Sequence, residues 1–177
     1  MLRNPRNLLA GMYVAFLVEV VYSATLLPDQ VASHFGFEGQ PDGWMSRSAT
    51  LLFMAVFGIV FPLLLPALFY GIRHLPDSAI NLPDRDYWLA PERREETYAY
   101  LFRHALWLAC LQVGFAMVLH ALVVDANLQT PPRLSGGIWV AGGLFLAGVI
   151  AWIWSLVRHF RRSDASSGLS SNMTKPA

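Results

Sequence analysis

Glu19, Gln112 and His120 each interrupt a long apolar run of this 177-residue chain, where polar side chains are costly. A carboxyl at such a depth ordinarily faces a partner or a watery cavity. Hydrogen-bonded to Tyr22, Ser23 or Gln112, Glu19 would act as a polar clamp between helices; facing a vestibule, it could relay protons or cations. A second concentration of reactive types lies between Leu27 and Arg47, in the stretch LPDQVASHFGFEGQPDGWMSR. Asp29, His34, Glu38 and Asp42 offer imidazole nitrogen and carboxylate oxygen, which are ordinary zinc ligands. Their spacing matches no established metal signature, so His34 and Asp42 are metal candidates on residue type alone. The competing reading is that the two hydrogen-bond the loop into shape. His120, near the end of its apolar run, would strengthen the metal reading if it reached His34.

Other chemistry has little to stand on. The sequence contains no glycine-rich phosphate loop, no Cys-x-x-Cys pair, no His-Glu-x-x-His and no Gly-x-Ser-x-Gly elbow, so no catalytic residues and no cofactor are indicated. Cys110 is single and lies inside an apolar run, which rules out an internal disulfide and suits buried filler. A net charge of +1 with dispersed basic residues leaves nucleic-acid binding without a footprint.

These residues must be positioned by helices in a bilayer. With 55% hydrophobic residues, 14% charged and a mean hydropathy of +0.41, the chain has too little charge to coat a water-soluble globule. Four apolar runs reach the roughly 20 residues that cross a hydrocarbon core of about 30 Å. Backbone groups in lipid must be satisfied within the segment, so an all-α, polytopic bundle of four transmembrane helices is expected. The expected helices cover about 8–27, 49–71, 92–124 and 138–158 within a membrane domain of residues 1–162. Residues 28–47 form a structured outer loop, 72–91 a cytoplasmic loop, and 163–177 a Ser-rich tail expected to be disordered. Arg3 and Arg6 ahead of the first run, with Tyr22-Ser23-Ala24 behind it, resemble a signal peptide. Glu19 within the run and Tyr22 near the would-be cut favour a retained helix.

Basic residues set the orientation. They crowd the amino terminus, the central loop and the tail, while only Arg47 and Arg133 fall in the other two connections. Both termini are therefore expected in the cytoplasm and the 28–47 loop outside. Within that loop, Leu27-Pro28-Asp29 reads as a helix start, Asp29 capping a single turn through Val31, Ala32 and Phe35. Gln40-Pro41-Asp42-Gly43 reads as a tight turn, Trp44 as an interfacial indole and Ser46 as the cap of the second span. Pro62 and Pro66 should kink that span. Pro91 with Glu92, Glu95 and Glu96 suits the start of the third. Arg93 and Arg94 are read as basic anchors of topology or, alternatively, contacts to a headgroup or partner. Small residues at Gly137-Ala141 and Gly143-Ala147-Ala151 permit close packing within the bundle or across a dimer. Asn172-Met173-Thr174 matches a glycosylation sequon, discounted because it falls in the cytoplasmic tail.

Leu27-Pro28-Asp29, His34-Phe35, Gly39, Pro41-Asp42-Gly43-Trp44 and Ser46-Arg47, flanked by apolar helices, resemble the signature of the bacterial membrane family called domain of unknown function 1648. The resemblance covers roughly the first 70 residues. Asn81-Leu82-Pro83 and Tyr87-Trp88-Leu89-Ala90-Pro91-Glu92-Arg93-Arg94 are similar to the cytoplasmic loop of stand-alone members. The same module forms the amino-terminal part of SdpI-type immunity and signalling proteins, which carry further membrane helices not found here, so toxin immunity is not expected. The resemblance implies a bacterial cytoplasmic membrane location and assigns no activity.

Two functional expectations follow. In the first, the outer loop recognises an extracytoplasmic ligand or membrane partner through Asp29, His34, Phe35, Asp42, Trp44 and Arg47, as a sensor, accessory or immunity-like protein. In the second, a transporter or membrane-enzyme subunit handles protons or cations at Glu19, with Gln112 and His120 as further intramembrane polar groups. The expected partners are the lipid bilayer and another membrane protein or a second copy, with no nucleic acid.

Overall fold

The computed structural model describes residues 4–161; the tail expected at 163–177, with its sequon, lies outside the described residues. Helix α1 covers Pro5–Ser23, starting at Asn4, whose side chain accepts the Arg6 amide, and at Pro5, whose fixed φ suits a first helical turn. A hairpin follows, β1 Gln30–Phe35 and β2 Pro41–Ser46. Then come a long rod α2, Arg47–His74, a short helix α3, Arg85–Trp88, and two more long helices, α4 Arg94–Asn127 and α5 Gly137–Arg161. By length and composition α2, α4 and α5 are apolar enough to cross a membrane. The fourth expected span, α1, is not among these three: Arg6, Asn7 and Glu19 dilute its 19 residues.

α4 is the central helix, packed by α1, α2 and α5. Leu9, Phe16 and Val20 of α1 interlock with Leu106, Ala109, Cys110, Val113 and Ala116 of α4, and Cys110 is a free, buried thiol within this core. Much of α5 stands outside, with Trp139, Val140, Leu144, Leu146, Ile150, Ile153 and Trp154 exposed. Gly148 meets Leu111 of α4, whereas Gly143 faces open space and Ala147 and Ala151 are exposed. The Gly143-Ala147-Ala151 row of α5 therefore lies away from the bundle, while Gly137 approaches Leu122 of α4.

The kink expected in the second span takes a specific form. The ladder of α2 widens into a π-helical segment at Val56–Val60, with the Phe61 amide reaching back to Val56, just before Pro62 removes a donor. Tyr13 of α1 donates to the Ile59 carbonyl at 3.1 Å, supplying a donor where the ladder shifts. Gly58 lies within the same segment, and any side chain there would collide with the buried ring of Phe16.

Residues 27–47 depart from expectation. The turn of helix proposed at Asp29–Phe35 is strand β1, paired antiparallel with β2 in the register Gln30↔Ser46, Val31↔Met45, Ala32↔Trp44, His34↔Gly43 and Phe35↔Pro41. The chain reverses at Gly36–Gln40, where Gly39 takes φ 81°, and not at Gln40–Gly43. Pro41 opens β2, where its missing amide costs no ladder bond that an edge position needs. The module is thus helical with one hairpin. Ser46 caps α2 as expected, accepting the Ala49 amide at 3.2 Å.

The two ends of the bundle differ in charge. The hairpin and the 128–136 connection meet at one end, where the Leu134 amide donates to Gly39 at 2.9 Å. Arg47 and Arg133 are the basic residues there. The 75–93 segment packs at the other end through Ile80 and Leu89, against Tyr98 and Leu101 of α4 and Phe160 of α5. Arg93 donates through Nε to the Tyr87 carbonyl and lies over the Tyr87 ring, and Arg94 pairs with Asp77.

Candidate functional site

The site is built where the hairpin meets the ends of α1 and α4. Helix α4 ends in Asn127, a residue with little helical preference that uses its amide instead of its backbone. Asn127 Oδ1 accepts the Ala32 amide at 2.7 Å, and Nδ2 donates to the carbonyls of Ala32 and Val123, both at 2.9 Å. The side chain thus acts as a one-residue neighbouring strand for β1, which buries Val31 and Ala32 completely.

A second tie comes from Arg47. Its guanidinium donates to the Ala24 carbonyl at 3.1 Å and pairs with Asp29, while its amide donates to the Asp29 carbonyl at 2.9 Å. The Gly39–Leu134 bond is a third. Asp29 and Arg47, proposed as binding residues, therefore hold the hairpin to the ends of α1 and α2.

The remaining loop candidates face outward. His34 and Asp42 pair across the strands through Nδ1 and Oδ1, with the His34 side chain 77% and the Asp42 side chain 53% exposed. Gly43 makes room for this, because a Cβ there would press on the Cβ of His34. Trp44 and Met45 are exposed on β2. Phe35 lines a cleft of about 320 Å³ between the hairpin turn and the start of α5, together with Phe37, Glu38, Leu134 and Trp139. The Phe37 ring stands 4.9 Å from that of Trp139 and is itself 84% exposed.

His120 does not join His34. It is fully buried on α4, where its Nε2 meets Ser23 Oγ at 2.8 Å and its ring abuts the edge of Phe16. Ser23 also donates to the Val20 carbonyl at 2.8 Å, so its hydroxyl hydrogen goes to the backbone and its oxygen accepts the Nε2–H of His120. Among the described residues Nδ1 of His120 has no partner. Among the described residues no three His, Cys, Asp or Glu side chains gather as a metal site would require. The pair His34 and Asp42 lacks further ligands.

The polar residues that interrupt the apolar runs separate as well. Glu19 is half-buried on α1 and makes no hydrogen bond or ion pair among the described residues. Ser23, a suggested partner, is committed to His120. Oε1 of Gln112 is buried and unpartnered. The polar clamp between α1 and α4 is Ser23–His120, and Glu19 has no share in it.

Residues 11–59, from α1 through the hairpin into the π-helical segment of α2, match the family model described as Domain of unknown function (DUF1648). That stretch is similar to the family's model over 11–59. Its boundaries enclose His34, Asp42, Trp44 and Arg47 but neither Asn127 nor His120, which α4 supplies from outside the matched region. The hairpin within the matched region is therefore completed by a later helix of the same chain. No curated protein and no solved structure matches the chain.

Two features escaped sequence reading. Asn127 stood at the end of an apolar run without its strand-like role being visible. His104 and Trp152 bridge α4 and α5 reciprocally, Trp152 Nε1 donating to the His104 carbonyl at 2.8 Å and His104 Nε2 meeting the Trp152 carbonyl at 3.1 Å. A polar and an amphipathic residue inside two apolar runs were the available signal.

Proposed function

We propose that the hairpin recognises an extracytoplasmic ligand or a membrane partner, from the outer face of a bacterial cytoplasmic membrane crossed four times, both termini cytoplasmic. The basic residues of the 75–93 segment and both chain ends support that orientation. One observation carries the recognition reading. The hairpin is held at three points, by Asn127, Arg47 and Leu134, while His34, Asp42, Trp44 and Phe37 project from it. A rigid frame that leaves aromatic and hydrogen-bonding side chains outside suits binding, because little ordering entropy opposes association.

The test is native mass spectrometry of protein gently extracted from its own membrane. Species that co-purify with the wild type and with Glu19→Gln, but are lost from His34→Ala and Trp44→Ala, support the hairpin as the binding site. Retention of the same species by both hairpin variants sinks it.

A second reading rests on Glu19, whose half-buried carboxyl on an apolar helix has no partner among the described residues. In that reading the protein is a transporter or membrane-enzyme subunit and Glu19 exchanges protons or cations. Reconstituted vesicles would then show a flux abolished by Glu19→Gln and unaffected by His34→Ala.

A further inference from the structure

At the end of the bundle opposite the hairpin, three arginines line one cavity of about 460 Å³. Arg6 comes from the first turns of α1, Arg73 from the end of α2 and Arg103 from the third turn of α4. Asn4, Phe102 and Leu106 contribute to its walls. Like charges brought together repel, and native proteins ordinarily intersperse carboxylates. Two other arginines at this end follow that rule, Arg85 pairing with Asp86 and Arg94 with Asp77, while Arg93 donates to the Tyr87 carbonyl and Arg158 lies over the ring of Trp154. Arg6, Arg73 and Arg103 have no carboxylate within ion-pair distance among the described residues. Arg6 and Arg73 lie over the rings of Phe102 and Tyr70, at 5.3 and 4.7 Å, which fixes their planes without neutralising them. Nε of Arg73 is buried and makes no hydrogen bond among the described residues.

Depth supplies the second half of the argument. α4 has 34 residues, about 51 Å of rise against a hydrocarbon core of roughly 30 Å, so its first turns stand clear of the core. Arg103 is the last charged residue before the apolar run from Ala105, and Arg73 closes the apolar rod α2. All three arginines thus sit where hydrocarbon gives way to headgroups. Guanidinium forks bind phosphate oxygens in pairs, and the apolar Phe102 and Leu106 wall suits what hangs below a phospholipid phosphate.

We propose that Arg6, Arg73 and Arg103 form a binding site for a phosphate-bearing anion at the membrane surface. Its two sources are an anionic phospholipid headgroup and free phosphate. The test uses the full chain, delipidated in detergent, with phosphatidylglycerol, phosphatidylcholine or inorganic phosphate added, read by thermal melting and by native mass spectrometry. Phosphatidylglycerol should raise the melting temperature and remain bound where phosphatidylcholine does not. Arg73→Gln and Arg103→Gln should each weaken binding about fivefold, the worth of one basic residue at an anionic surface. Arg85→Gln, which removes an equal charge at the same end, should leave it unchanged. Arg103→Lys retains charge and should keep much of the affinity, which guards against a variant that merely misfolds. Stabilisation by phosphatidylglycerol alone identifies the headgroup, and stabilisation by inorganic phosphate identifies the free ion. Equal binding of phosphatidylcholine and phosphatidylglycerol without a response to phosphate, equal loss in Arg85→Gln, or no shift from any of the three overturns the proposal.

Discussion

Asn127 is the residue on which the hairpin's placement depends. It satisfies both backbone groups of buried Ala32, and a buried backbone group left unpaired costs about 1–3 kcal/mol. Asn127→Ala should therefore destabilise the protein by about 2–4 kcal/mol in denaturant titrations in detergent. Hydrogen exchange at residues 30–35 should accelerate more than in the helices. The Ser23–His120 pair obeys the same asymmetry. Ser23→Ala strips buried Nε2 of its partner and should cost about 1–3 kcal/mol, whereas adding His120→Leu should recover part of that loss, because a fully apolar pair leaves nothing unsatisfied. A double-variant loss equal to the sum of the singles would mean the two side chains act independently.

Between elements, packing turns on glycines whose surroundings differ. Gly58 lets α2 approach Phe16 of α1, so Gly58→Val must displace a fully buried ring and should cost about 1–3 kcal/mol of thermal stability. Gly142 of α5 has nothing within reach of a Cβ, and Gly142→Ala should be neutral or slightly stabilising through helix propensity. If both substitutions shift the melting temperature alike, α1 and α2 are not in the contact described. The α4–α5 pairing draws on the His104–Trp152 bridge and on stacked rings, Tyr100 over His159 at 3.7 Å and Phe115 over Phe145 at 4.6 Å. Those contacts hold an otherwise exposed helix by one face.

For the whole molecule the prediction is orientation. In a Cys110→Ser background, Glu38→Cys in the hairpin turn should react with a membrane-impermeant maleimide in intact cells. Asp86→Cys, at the opposite end of the bundle, should react only after the cells are opened. The reverse pattern would invert the proposed topology and place the phosphate site in the outer leaflet.

Long apolar runs, the basic bias between connections and turn-forming punctuation are local or compositional, and each was legible in the sequence. Helical content, the apolar rods α2, α4 and α5, the Ser46 cap and the disruption ahead of Pro62 follow from them, because bilayer thickness and backbone satisfaction leave few alternatives. The hairpin was not legible. Asp29 and its neighbours suit a helix start on local grounds, and only the Asn127 amide waiting at the end of a helix 95 residues away makes a strand the better use of Ala32. The same holds for His120, which meets Ser23 and not His34, and for the three arginines. Their sequence positions, Arg6, Arg73 and Arg103, are unrelated by any period. Partner choice for a buried polar group depends on which helix ends meet, and that is decided by packing of α1, α2 and α5 around α4.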